Sequence, residues 1–140
     1  MTHNANTILI VEDDAHHANL ITRTIQRACP DPDTELKRIG DGESAVDYLR
    51  RLGTDLPRLI LLDLKLPKLN GHEVLRYIKS SETLRVIPVV ILSTSLSEQD
   101  RQEALSLQAN SVLTKSVNFT DFQQMLKDMI NYWLGWNRGY

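Results

Sequence analysis

The sequence predicts an α/β protein built on one doubly wound parallel sheet. Short apolar runs at residues 7–11 and 59–63 have no polar break before their last residue. Such runs are typical of strands buried on both faces of a parallel sheet. Segments with apolar residues at helical spacing separate the predicted strands, so that strands and helices alternate along the chain. Short loops and right-handed crossovers then place helices on both faces of the sheet.

The first half of the chain contains two strand–helix units. After the strand at 7–11, Asp14 is the expected N-cap of a helix. The second strand, at 34–39, is short and polar, as expected at the edge of a sheet. Asp41 and Gly42 open the next helix, and Gly53 closes it. The inward residues of these two helices are Ala18, Ile21, Ile25, Ala28, Ala45, Val46, Leu49 and Leu52.

The second half continues the alternation with three more strands. The central strand at 59–63 ends at Asp63, and Gly71 begins the helix behind it. A buried strand is predicted at 86–92 and a weaker one at 111–114. Ser97 and Asn118 are expected to cap the last two helices. The inward residues of the three helices are Val74, Leu75, Ile78, Ala104, Leu105, Leu107, Phe119, Phe122, Leu126, Met129 and Trp133.

Length and composition restrict the functional class. The 140 residues fit a single domain, residues 1–140, with 135–140 as a short C-terminal extension and no separate output domain. A net charge of −2 supplies no basic field for nucleic acid or membrane binding. The apolar runs are too short to span a bilayer, and the N-terminus lacks the pattern of a signal peptide. The single cysteine, Cys29, forms no intrachain disulfide, which fits the cytoplasm.

Polar residues follow four of the five predicted strands. Because parallel strands end at one edge of the sheet, these residues are expected to meet there. Three carboxylates at that edge repel one another unless a cation neutralises them, and oxygen ligands favour Mg²⁺. Asp63, on the central strand, is the natural nucleophile for an acyl phosphate. The residues in question are Glu12, Asp13, Asp63, Ser93, Thr94 and Lys115.

These motifs resemble the receiver domain of two-component response regulators over essentially the whole chain. The resemblance is carried by residues 8–14, the run 62–71, residues 88–94 and Lys115. It implies a flavodoxin-like fold with strand order 2-1-3-4-5 and five helices. It also implies a signalling protein, not an enzyme, that catalyses only its own phosphoryl transfer and dephosphorylation.

The resemblance implies a role for each matching residue. Asp63 matches the aspartate that a histidine kinase phosphorylates. Glu12 and Asp13 match the acidic pair that holds Mg²⁺ together with this aspartate and the backbone carbonyl of Lys65. A hydroxyl at Ser93, with Thr94 as a competitor for the role, and the ammonium of Lys115 would engage the phosphoryl group. A histidine phosphotransfer protein is a further partner in such relays.

Three positions depart from the family pattern. Ser116 stands where the family usually has a proline, often as a cis bond, so the shape of the last loop is open. Val112 occupies the position of the aromatic switch residue, so that a ring flip cannot report activation. Lys65 places a long cation at the rim of the site, where it is expected to influence the access of water.

A second, shorter resemblance concerns the end of the chain. Residues 114–116 and 131–134 look like the single-domain regulators that are paired with bacterial phytochromes. This resemblance implies a light-regulated kinase and a homodimer formed through the last helix. Aromatic residues are also more numerous here than one buried helix face needs, which favours a partner surface. The residues assigned to it are Phe119, Phe122, Tyr132, Trp133 and Trp136.

Three alternative functions fit the sequence less well than this interpretation. A phosphate-independent interaction module of receiver shape is disfavoured by the full set of site residues. An FMN-binding protein would need a phosphate loop where Glu12 and Asp13 stand, and an aspartyl-phosphate phosphatase would need an aspartate in place of Lys65.

His16 and His17 are expected to be exposed side chains that form no metal pair.

Overall fold

The structure, a computed structural model, describes residues 6–28, 33–94, 97–115 and 118–136, with the backbone alone at 135 and 136. Its strands form one parallel sheet in the order β2-β1-β3-β4-β5, which confirms the predicted fold. Within these ranges the strands are β1 Thr7–Val11, β2 Glu35–Ile39, β3 Leu59–Leu62, β4 Val89–Ser93 and β5 Ser111–Thr114.

Five α-helices connect and cover the strands in the described part of the chain. They are α1 Ala15–Ala28, α2 Gly42–Arg50, α3 Gly71–Ser80, α4 Glu98–Ser106 and α5 Phe119–Ile130. A 3-10 turn at Leu84–Val86 precedes β4, and α5 continues as a π-helical segment at Asn131–Trp136. None of these helices has the length and apolar character required to cross a bilayer.

The helix starts are specified by their capping residues. The side chains of the four predicted caps each accept a backbone N–H from the first turn of their helix, which satisfies an otherwise unpaired donor. At α3 the cap is Asn70, which forms a reciprocal capping box with Glu73. The predicted caps that are confirmed are Asp14, Asp41, Ser97 and Asn118.

Alternation along the buried strands divides the core into two layers. Ile8 and Ile10 face α1 and α5, whereas Leu9 and Val11 face α2 and α3. The central strand β3 is divided in the same way, so its side chains contribute to both layers. Because both layers are apolar, the sheet is a rigid support for whatever follows its carboxyl ends.

Three side-chain placements differ from the predictions. Val86 lies in the 3-10 turn and is 67% exposed, so β4 begins at Val89, beyond Pro88. Leu105 is exposed, because it lies about 100° around α4 from the fully buried Ala104. Phe119, predicted on the inward face of α5, is also exposed, since it occupies the first position of the helix.

Candidate functional site

The carboxyl ends of the strands hold the site residues through backbone hydrogen bonds. The N–H of Glu12 donates to the carbonyl of Ile39 at 3.0 Å, and the N–H of Asp63 donates to Val11 at 3.0 Å. The N–H of Lys115 donates to the carbonyl of Ser93 at 2.8 Å. Each residue therefore extends the ladder of a neighbouring strand by one step, which fixes where its side chain starts.

Three carboxylates converge at this edge of the sheet. Glu12, Asp13 and Asp63 each offer an oxygen, and these oxygens lie within 4.8 Å of one another. Glu12 and Asp63 are buried, whereas Asp13 is exposed. The guanidinium of Arg38 donates to the carbonyls of Glu12 and Asp13, at 3.1 and 3.0 Å, and holds this turn in place.

The ammonium of Lys115 is buried between two of these carboxylates. It forms an ion pair with the carboxylate of Glu12, and Asp63 Oδ2 lies 3.6 Å from it. The third neighbour is His17, whose Nδ1 lies 3.1 Å from the Lys115 nitrogen and 4.0 Å from the carboxylate of Glu12. The ammonium of Lys115 and the carboxylates of Glu12 and Asp63 therefore lie together in one small buried volume.

Burial dominates the electrostatics of Glu12. The pKa of this carboxyl group is raised from 4.5 to about 7, chiefly by the loss of solvent on burial, and the negative charge of Asp63 acts in the same direction. The hydrogen bond from Lys115 opposes both effects and lowers the pKa, without cancelling them. Burial therefore disfavours the charged form of Glu12, and a further cation beside the carboxylates would stabilise that form.

The donor set fits a hard divalent cation. Glu12, Asp13 and Asp63 supply only carboxylate oxygens, which Mg²⁺ and Mn²⁺ prefer over nitrogen or sulfur. Asp13 and Asp63 are the direct ligand candidates, because the ammonium of Lys115 already engages the Glu12 carboxylate. The backbone carbonyl of Lys65 remains a predicted ligand. The backbone N–H of Lys65 donates to Asp63 Oδ1 at 3.3 Å.

The loop after β3 packs so closely against two glycines that neither has room for a side chain. A Cβ atom on Gly71 would lie 2.3 Å from the carbonyl oxygen of Asp63 and 2.5 Å from the Cα of Leu64. A Cβ atom on Gly42 would lie 1.9 Å from the carbonyl oxygen of Leu69. The N–H of Gly71 donates to the carbonyl of Leu64 at 2.8 Å, so the loop closes directly behind the predicted acceptor.

The remaining predicted site residues occupy different environments. Ser93 is buried at the end of β4, whereas Thr94 and Lys65 are exposed. Val112 is buried in the core layer under α4, and its carbonyl accepts a hydrogen bond from the guanidinium of Arg101 at 3.2 Å. Ser116 and Cys29 lie outside the described residues.

The proposed aromatic surface is only partly available to a partner. Tyr132 is 55% exposed, and its ring meets Trp133 edge-on with centroids 5.0 Å apart. Phe122, predicted as an interface residue, is only 3% exposed and packs in the core layer under α1 and α5. The side chain of Phe122 is therefore part of the monomer's core and is not available to a partner. The side chain of Trp136 lies outside the described residues.

His17 is the site residue that the sequence analysis missed. Predicted to be exposed, it is half-buried and contacts both Lys115 and Glu12. The available signal was Asp14, because an N-cap at that residue places position 17 in the first turn of α1, close to the end of β1.

Comparison with known proteins agrees with this geometry. The family model of the response regulator receiver domain matches residues 8–127. The chain belongs to this family. Receiver domains are signalling proteins and not classical enzymes. The residues that carried the resemblance in the sequence, including Lys115, all lie within the matched range.

Individual relatives cover almost the whole chain. The probable methanogenesis regulatory protein FilR2 of Methanothrix harundinacea is 49% identical over 134 residues, covering 94% of this chain and 85% of its own. The phosphorylated cyanobacterial phytochrome response regulator RcpA is 39% identical with a TM-score of 0.85, covering 92% of this chain and 94% of its own. The Mn²⁺-bound form of response regulator Rcp1 is 38% identical with a TM-score of 0.84 and the same coverage.

Proposed function

We propose that this protein is a phosphorylation-controlled switch in which Asp63 accepts a phosphoryl group from a histidine kinase. The observation that supports this proposal is the Asp63 carboxylate at the carboxyl end of the central strand, 3.6 Å from the buried ammonium of Lys115 and inside a cluster of three carboxylates. A carboxylate oxygen of Asp63 attacks phosphorus, the phosphorus–nitrogen bond to the kinase histidine breaks, and the imidazole leaves with the electron pair.

The residues around Asp63 have different roles in this transfer. Asp13, Asp63 and the carbonyl of Lys65 would hold Mg²⁺, with Glu12 acting directly or through water. When bound, Mg²⁺ neutralises negative charge on the acceptor and on the phosphoryl oxygens. Lys115 then shifts from the carboxylates to a phosphoryl oxygen.

Hydroxyl groups complete the proposed contacts. Ser93, at the buried end of β4, donates its hydroxyl to another phosphoryl oxygen, and Thr94 is the exposed alternative. The movement of Ser93 and Lys115 repositions the loops after β4 and β5 and the surface near α4 and α5. Val112 carries no aromatic ring. The contacts that link α4 to β5 at this position include the hydrogen bond from the guanidinium of Arg101 to the Val112 carbonyl, at 3.2 Å, and the packing of Val112 in the core layer that also holds Ala104.

The output surface is proposed to be a homodimer interface on α5 and its continuation. An apolar groove of about 570 Å³ runs along this face, between Leu113 on β5 and the rings of Tyr132 and Trp133. Arg58 anchors the continuation by donating to the carbonyl of Leu134 at 3.0 Å. A rigidly held aromatic pair beside an apolar groove favours a protein partner.

The partners and extent of the protein follow from the same interpretation. The donor is a histidine kinase, and the likeness to the cyanobacterial phytochrome response regulator RcpA favours a phytochrome. The higher identity to FilR2 favours a second candidate, a kinase of a metabolic regulatory system. A histidine phosphotransfer protein is the onward acceptor in a relay. Residues 1–140 form one cytoplasmic receiver domain, with 135–140 as its extension.

Phosphoryl uptake from acetyl phosphate tests the chemical proposal. The intact mass is expected to increase by one phosphoryl group with Mg²⁺ present, and not after chelation. Asp63→Asn should abolish the adduct. Asp47→Asn is the matched control, because Asp47 is a helical aspartate that pairs with Arg50 outside the site. Absence of an adduct and of beryllofluoride binding would instead support the phosphate-independent interaction module.

Sedimentation velocity tests the proposed interface. With and without beryllofluoride, a dimer should form at micromolar concentration, and Tyr132→Ala should weaken it. Val86→Ala removes a similarly exposed apolar side chain from another element and should leave the dimer intact. A monomer at every concentration and in both states would contradict the homodimer.

A further inference from the structure

The contacts of Lys115 indicate which ring nitrogen of His17 carries the proton. An ammonium group has three donors and no acceptor, so every neighbour within hydrogen-bond distance must offer a lone pair. Glu12 offers a carboxylate oxygen, and His17 offers Nδ1 at 3.1 Å. The Nδ1 atom is therefore unprotonated, and in the neutral ring the proton is on Nε2.

The fold sets the position of His17 independently of Lys115. Asp14 Oδ1 accepts the N–H groups of His16 at 2.8 Å and of His17 at 3.1 Å, which fixes the first turn of α1. The next residue, Ala18, is buried against the core and prevents rotation of this turn. The imidazole thus starts from a rigid backbone and is 36% exposed, with Nδ1 on the side of the site.

A neutral acceptor affects the lysine differently from a carboxylate. A divalent cation held by Asp13 and Asp63 beside Glu12 would weaken the ion pair between Glu12 and Lys115, because both cations would be attracted to the same carboxylates. Of the three described neighbours of the ammonium, Glu12 and Asp63 belong to the carboxylate cluster that would hold the cation, whereas His17 does not. A lone pair on an uncharged ring holds the ammonium in place without competing in charge against a phosphoryl oxygen.

We propose that His17 is a positioning residue that keeps the ammonium of Lys115 next to Asp63 while the site accepts its phosphoryl group. This inference rests on the proposed phosphoacceptor function and deepens it. The described side-chain contacts of His17 are with Lys115 and Glu12, and not with Asp63. It acts through Lys115, whose sequence position is 98 residues away.

A matched set of variants separates the acceptor atom from the volume of the ring. His17→Asn keeps an acceptor, since Asn Oδ1 and His Nδ1 are both bonded to Cγ, whereas His17→Leu keeps the branched shape and removes the acceptor. His16→Leu is the control, because His16 is the exposed neighbour in the same turn. Urea unfolding of each variant first establishes that the fold is retained.

The rate of phosphoryl uptake from acetyl phosphate at pH 8 is the first measurement. His17→Leu is expected to slow uptake about 10-fold, the loss expected for one hydrogen bond to a charged group. His17→Asn should stay within about 3-fold of the wild type, and His16→Leu should match it. Uptake by His17→Leu at the wild-type rate, or by His17→Asn as slowly as by His17→Leu, would overturn the inference.

A second measurement needs no phosphorylation. Imidazole ¹⁵N chemical shifts of the metal-free protein at pH 8 should show His17 with the proton on Nε2, and a proton on Nδ1 would overturn the contact. Failure of the wild type to take up any phosphoryl group would refute the proposed function itself. An active wild type with an unaffected His17→Leu variant would refute only the role of His17.

Discussion

Gly71 is where the fold and the proposed site depend on the same atoms. It is the first residue of α3, and its backbone lies against the carbonyl of Asp63 and the Cα of Leu64. Gly71→Ala adds a single methyl group at this point. Because the obstructing atoms belong to the backbone of the acceptor loop, a side-chain rotation cannot relieve the overlap.

The structure allows the size of the effect to be worked out. The added Cβ would lie 2.5 Å from the Cα of Leu64, whereas ordinary contact between carbon atoms begins at about 3.5 Å. The loop or the helix must therefore move by about 1 Å. Overpacking of this kind costs about 1–3 kcal/mol, and weakening the hydrogen bond from Gly71 to Leu64 adds about 1 kcal/mol.

Two measurements check this prediction. Urea unfolding of Gly71→Ala should show a loss of about 2–4 kcal/mol. Phosphoryl uptake should fall about 100-fold, because a displacement of about 1 Å misplaces the Asp63 carboxylate. Gly40→Ala is the matched control, since its Cβ would meet only the Arg38 side chain at 3.8 Å. Equal stability and equal uptake in Gly71→Ala and the wild type would refute the reasoning.

Three further predictions concern the charges and the caps. Because Glu12 has a pKa raised to about 7, a cation must displace its proton at lower pH, and Mg²⁺ affinity should fall by up to about 10-fold from pH 8 to 6, with proton release in calorimetry. Lys115→Met leaves Glu12 buried without its cation, so it should cost about 3–5 kcal/mol in urea unfolding at pH 8. The cost should be smaller at pH 5, where the folded state keeps Glu12 protonated, and an equal cost at both pH values would contradict this account. Asn70→Ala removes the capping box of α3 and should cost about 1 kcal/mol, measured in the same way, and no loss would show that the cap is dispensable.

The fold was predictable because burial leaves a direct trace in the sequence. Runs such as Leu59–Leu62 have apolar residues on both faces, and the structure confirms that they are central strands. The start of β4 was not predictable from that trace. Val86 belongs to the same apolar stretch, but a 3-10 turn ends at it, and hydrogen bonds, not hydropathy, set the start of the strand.

The grouping of the site residues was predictable for a topological reason. Once parallel strands are assigned, the residues after them must meet, and Glu12, Asp63 and Lys115 do so. The partner of His17 was not predictable in this way. Helical periodicity says which face a residue occupies, but not that a lysine 98 positions later will fill the space beside it.

The balance of charge explains why one lysine serves both states of the proposed switch. Three carboxylates and one ammonium give the cluster a formal charge of −2. A Mg²⁺ ion held by the carboxylates would bring this charge to about zero, and phosphorylation of Asp63 would then add about one further negative charge, since a phosphoryl group of about −2 replaces a carboxylate of −1. That new charge would lie on the phosphoryl oxygens bonded beyond the Asp63 carboxylate. The ammonium of Lys115, 3.6 Å from Asp63 Oδ2, would be attracted to these oxygens. The movement of the Lys115 ammonium thus depends on the metal ion binding before the phosphoryl group. The neutral ring of His17 contacts the ammonium without opposing this movement.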